Sequence, residues 1–246
     1  MKILALDTSS SVASVAILDK NILMGEYSIN SKKKHSQILM LMVKELLKNL
    51  DISPEDIDLY AVTSGPGSFT GLRIGITAVK AMAYAVKKPV IAVPSLEALA
   101  YNLPLWEGLV CPIMDARNNQ VYTALYKWKG NFLEAVTECK GIAVQELILL
   151  IMDNMKDNNK VAFVGDGVEV HRQYIAEQLG NKAVFTPANL MLVRASSVAL
   201  AAAAKYSRGE IETAFELVPF YLRKSQAERV LEKNNKGENE EVCDKV

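Results

Sequence analysis

Lys2-Ile3-Leu4-Ala5-Leu6-Asp7-Thr8-Ser9-Ser10 is a short apolar strand that breaks into a hydroxyl-rich turn. Working outward, residues 12–19 and 22–30 read as two more strands with short connections, so the chain begins as a meander. A long helix is expected over 35–50. The apolar run 58–64 leads into Gly65-Pro66-Gly67 and a helix over 69–86. Residues 89–93 predict another strand, with Ser95 as the N-cap of a helix through Tyr101. The order β-β-β-α-β-α-β-α specifies an α/β fold: a mixed sheet with an antiparallel edge and parallel strands joined by helices.

Beyond this unit, residues 102–108 with Pro104 mark the expected lobe boundary. Strands follow at 109–115, 121–128, 132–139 and 160–164, with a helix over 144–152 and an Ala-rich helix over 195–206. The expected division is therefore 1–103 for a first lobe, 104–223 for a second, and 224–246 for a charged tail, frayed or disordered.

Bulk properties narrow the function. The 246 residues carry 28 basic and 28 acidic side chains, a net charge of zero. A chain that grips a nucleic-acid backbone alone shows a basic excess, because phosphate neutralisation supplies most of the affinity. If RNA is involved, another chain holds it. Cys111, Cys139 and Cys243 have neither metal-ligand nor redox spacing, and no apolar run approaches the roughly 20 residues of a membrane span. A cytoplasmic protein with reduced thiols and no membrane contact is expected.

Two glycine-rich turns and one hydroxyl-rich turn are candidate phosphate loops. Asp7-Thr8-Ser9 either caps itself through side-chain bonds or holds an anion. The run Ser64–Gly71, with Gly65 and Gly67, precedes a helix whose free amides attract anions, but no lysine follows where a Walker loop needs one. A forced turn capped by Ser68 or Thr70 is the structural alternative. Gly165-Asp166-Gly167 closes the strand 160–164 in a similar way. The only two histidines, His35 and His171, lie far apart in sequence and form no metal motif; no catalytic pair can be assembled.

The helix over 35–50 carries more apolar surface than a core requires. Ile38, Leu39, Met40, Met42, Val43, Leu46, Leu47 and Leu50 fill an arc of roughly 200°, about twice the usual stripe. Burial under the chain's own second lobe or a protein–protein interface would each absorb the surplus. The next helix bears Gly71, Gly75, Ala78, Met82 and Ala85 at steps of three and four, with Arg73 off that face. Each glycine costs about 1 kcal/mol relative to alanine, so something approaches closely, either the chain's own sheet or a second chain. The candidate interface is Ile38, Leu39, Met42, Val43 and Leu46 with Gly71, Arg73, Gly75, Ala78 and Met82.

Several stretches together resemble the TsaB (YeaZ) family. They are Leu4–Ser9, Ser64–Gly75, Pro94–Ala100, Asp115-Ala116-Arg117 with Val121-Tyr122, Gly165-Asp166-Gly167, and Pro219–Glu228. The resemblance implies an actin/Hsp70-like fold of two lobes, the second reduced. It implies a role in making threonylcarbamoyladenosine beside the anticodon of tRNAs that read codons beginning with A. It further implies a non-catalytic subunit that heterodimerises with a catalytic TsaD homologue through the first two long helices. A TsaE-type ATPase joins the pair and tRNA is met only through the complex; alone, the chain is expected to form a homodimer, because the same apolar helices would seek cover. No cofactor of its own is implied, with ATP or ADP at the partner boundary. The turn after Asp7 lacks the glycine usual in that fold. Ser95 and Leu99 stand where the catalytic relative has its two metal-binding histidines. The alternative is a degenerate actin-like hydrolase or kinase.

Overall fold

The computed structural model describes residues 1–31, 34–155 and 159–222. The tail expected from 224 onward lies outside the described residues.

Strands β1 (Lys2–Asp7), β2 (Val12–Asp19) and β3 (Ile22–Asn30) form the antiparallel meander. Strands β4 (Leu59–Gly65) and β5 (Val90–Pro94) add in parallel on the other side of β1, giving the order β3-β2-β1-β4-β5. Side chains alternate across this sheet. Leu4 and Leu6 of β1 face a cluster supplied by helices α1 (His35–Asn49) and α2 (Phe69–Val86). Ile3 and Ala5 face the opposite cluster, supplied by α3 (Ser95–Ala100) and a helix near the C-terminus.

The second sheet runs β10-β7-β6-β11-β12, with β8 paired to β6 and β9. Its strands are β6 (Gly108–Asp115), β7 (Gln120–Thr123), β8 (Tyr126–Lys129), β9 (Phe132–Ala135), β10 (Lys140–Ala143), β11 (Lys160–Val164) and β12 (Ala183–Phe185). Leu109, Cys111 and Ile113 pack under α4 (Val144–Asn154) and α5 (Gly167–Leu179). Val110 and Met114 point the other way, into the cluster shared with α3 and α6 (Ala195–Ser207). Helices α3 and α6 thus lie between the two sheets. The buried residues of α6 are Ala195, Ser197, Val198, Ala199, Ala201 and Ala202, small enough for strands to approach on both sides.

This arrangement revises several sequence expectations. Helix α6, from the expected second lobe, packs on β1, β2 and β5 of the first sheet. Residues 211–222 then run back along the same unit as a strap. Val90 and Glu212 exchange backbone hydrogen bonds of 3.0 Å, Leu217 is buried, and the Phe220 N–H donates to Ser64 O at 2.7 Å. The expected strand 121–128 is broken at the buried pair Ala124–Leu125, and 132–139 stops at Ala135. Helix α5 and strand β12 were not anticipated. Ser95 is the first helical residue and not the cap; Pro94 precedes it, and the buried Ser95 hydroxyl has no partner among the described residues.

The surplus on α1 also shrinks. Ile38, Leu39, Met42, Val43, Leu46 and Leu47 are all buried beneath the first sheet, while Met40 (48% exposed) and Leu41 (62%) remain outside. Five candidate interface residues are therefore core residues of this chain. Leu39→Ala should lower the unfolding free energy by about 2–5 kcal/mol, the range for truncating a packed leucine. Chemical denaturation of the isolated chain measures it.

Candidate functional site

The turn after β1 is closed by the glycine run. Gly67, Gly71 and Gly75 each face Thr8 or Ser9, and a Cβ added at any of them would come closer than 3.0 Å to those residues. Ser9 O accepts from Ser68 N–H at 2.7 Å, and Thr8 Oγ1 donates to Gly71 O at 2.8 Å. Ser68 caps α2 by accepting from Gly71 N–H at 3.2 Å. The glycines thus serve close approach of helix to turn. The start of α2 packs directly against Thr8 and Ser9.

Asp7 sits fully buried at the centre of this contact. Its Oδ1 accepts from Ser9 N–H at 3.1 Å and from Thr63 Oγ1 at 2.7 Å, while Oδ2 has no partner. Burial pushes its carboxyl above the ordinary 3.8, against the lowering effect of the bonds from Ser9 and Thr63. The fourth glycine of the run, Gly65, has φ +124 and lies against Phe220 O of the strap. The equivalent turn in the second sheet is also tight. Cβ atoms added at Gly165 and Gly167 would crowd Ile113 O, and Asp166 Oδ1 accepts from Asp115 N–H at 3.1 Å. Burial raises the Asp166 carboxyl too. All seven candidate loop residues are engaged in these packed turns.

An open groove of about 670 Å³ lies between α1 and α2. Ser36, Leu39 and Met40 form one wall; Thr70, Ile74, Thr77, Ala78, Ala81 and Met82 form the other, with Phe69 and Arg73 at one end. Of the sequence candidates, Leu39, Arg73, Ala78 and Met82 line it. Gly71 and Gly75 turn away toward Thr8, and Ile38, Met42, Val43 and Leu46 lie in the core beneath. Sequence reading missed Met40, Thr77 and Ala81. The signal was the run of small residues on the outward face of α2, at 77, 78 and 81.

Ser95 and Leu99 are both buried in the cluster between the sheets. A hydroxyl and an isobutyl group in apolar surroundings do not suit a transition metal, which takes imidazole, thiolate or carboxylate. Among the described residues no three His, Cys, Asp or Glu side chains gather to hold an ion, and no helix is long and apolar enough to cross a membrane.

Two substitutions test the closed turn. Helix propensity alone predicts that Gly71→Ala stabilises by about 1 kcal/mol; the clash with Thr8 predicts destabilisation of about 1–3 kcal/mol. Denaturation decides the sign. Because the folded Asp7 carboxyl titrates above its unfolded value, its contribution is full below that value and is lost as pH rises through the folded one. Asp7→Asn keeps a neutral group of the same shape. Its stability relative to wild type should therefore improve as pH is raised above about 4, measured by denaturation across pH.

The profile of the family described as "TsaD: tRNA N6-adenosine threonylcarbamoyltransferase" matches residues 23–230. A "tRNA threonylcarbamoyladenosine biosynthesis protein TsaB" from Bacillus subtilis is 37% identical over 93% of this chain and 96% of its own length. The Haemophilus influenzae protein of the same name is 30% identical, over 91% and 94%. A threonylcarbamoyltransferase from Staphylococcus haemolyticus matches at 30% over 58% of this chain and only 47% of its own. The solved structure "YeaZ from Pseudomonas aeruginosa" superposes with a TM-score of 0.74 at 27% identity, covering 90% of this chain and 99% of that one. The two-lobed architecture is the actin-like α/β fold expected from the sequence. The chain belongs to the family that the profile describes, and within it to the TsaB proteins of tRNA threonylcarbamoyladenosine biosynthesis.

Proposed function

We propose that this chain is a non-catalytic subunit of the cytoplasmic machinery that places threonylcarbamoyladenosine next to the tRNA anticodon. It acts by heterodimerising with a TsaD-type catalytic subunit and supporting it. The observation that carries the non-catalytic part is the closed turn at Asp7-Thr8-Ser9, filled by the chain's own glycine run. A kinase or metallopeptidase of the actin-like class would need that turn open or a ligand set at 95 and 99, and these residues fit neither. ATP or ADP, on this reading, reaches the chain only at its boundary with the partner. The TsaE-type ATPase and the tRNA are engaged through the complex, consistent with zero net charge.

The groove between α1 and α2 is the docking surface. Its small residues let a partner helix approach closely, and Met40 and Met82 can repack around it. When the partner is missing, two copies would cover the same groove by self-association.

Ala81 is exposed on the outward face of α2 and lines the groove. Ala81→Glu should leave the fold intact, abolish co-purification with the TsaD homogue of the same organism, and remove stimulation of tRNA modification in a reconstituted assay. Modification that proceeds equally well without this protein would reject the accessory role; full complex formation by Ala81→Glu would reject the surface.

A further inference from the structure

Arg73 is held ready at the end of the groove. Its guanidinium lies over the Phe69 ring, with Cζ 4.0 Å from the ring centroid, and its Nε donates to Tyr221 OH at 3.0 Å. Tyr221 in turn stacks on Phe69 at 4.3 Å. The strap therefore fixes a cation at the rim, exposed to solvent. Lys80, on the same helix, uses its ammonium on the strap carbonyls of Leu217 and Phe215. Arg73 has no such sink: among the described residues no carboxylate pairs with it. Among the described residues that line the groove, Arg73 carries the only charge.

We infer that Arg73 is the specificity-determining anchor of the docking surface, and that its occupant is a different protein presenting a carboxylate to it. The charge pattern chooses between this occupant and a second copy. In a two-fold self-association the same patch meets itself. Arg73 then meets another residue of its copy's groove, and among the described residues that line the groove none is an acid that could take it. A heterologous face has no such constraint and can supply the acid. The guanidinium fork suits a carboxylate bidentately, and a side chain already stacked and bonded loses little freedom on docking. The inference rests on the reading that this groove receives the catalytic subunit.

The test titrates the TsaD homologue of the same organism against wild type, Arg73→Gln, Arg73→Lys and Ala81→Glu, and follows self-association of each by sedimentation. Arg73→Gln should weaken the heteromeric complex by about 30-fold, the scale of an interface hot spot. Arg73→Lys should recover part of that loss, and the recovered part should fade with salt, because a point charge lacks the fork. Self-association of Arg73→Gln should be undiminished. Wild-type heteromeric affinity in Arg73→Gln, with binding lost in Ala81→Glu, overturns the anchor and leaves the groove standing. Undiminished binding by Ala81→Glu removes groove and anchor together. Self-association that falls in Arg73→Gln also overturns the inference, since the occupant would then be a second copy.

Discussion

Thr8 and Ser9 lie so close to Gly67, Gly71 and Gly75 that any larger residue on the α2 side would force the helix off the sheet. The contact joins the C-terminal end of β1, the central strand of the first sheet, to the start of an 18-residue helix. Two interior glycines disfavour α2 by about 1 kcal/mol each. Against that stand a buried hydrogen bond from Thr8 Oγ1 to Gly71 O and the packing of Ile76, Val79 and Ala83 beneath the sheet. Once α2 is pinned there, its outward face, the wall it offers to α1 and the line along which the strap lies are all determined.

The same contact ties up the polar groups of the turn. A phosphate loop needs backbone amides turned toward open space, and the amide of Ser68 is instead spent on Ser9 O. Asp7, which would face such a ligand, has one carboxyl oxygen tied to Ser9 and Thr63 and the other buried without a partner. Burial favours its neutral form. The turn has become a joint.

Much of this was legible in the sequence, and the failures have physical causes. The strand and helix order of the first hundred residues follows from period-two and period-3.6 patterns that tertiary contacts reinforce. The glycine run could be recognised as a site of close approach, but the sequence left open whether sheet or partner approached. Helix α1 misled because an apolar arc says how much surface is buried, not what buries it. The sheet meets Leu39, Val43 and Leu46 along with Ile38, Met42 and Leu47, so only Met40 and Leu41 are left over. Helix α5 was missed because its buried stripe of Val168, His171, Ile175 and Leu179 is interrupted by charge and includes a histidine. The strap carries no periodic signal: it is held by isolated backbone bonds at Glu212 and Phe220 and by single side chains such as Leu217.

Closing the turn and leaving a groove are one event seen from two sides. Glycines at 71 and 75 let α2 settle deep onto the sheet, and the opposite face then offers only short side chains, at Thr77, Ala78 and Ala81. On one flank the strap packs along α2, through Tyr221 on Phe69 and Phe215 on Tyr84. On the other flank α1 rises as a ridge with Met40 exposed. A helix sunk between two ridges leaves a groove, here of about 670 Å³. The close contact that packs the turn against α2 is thus also the one that shapes the groove between α1 and α2.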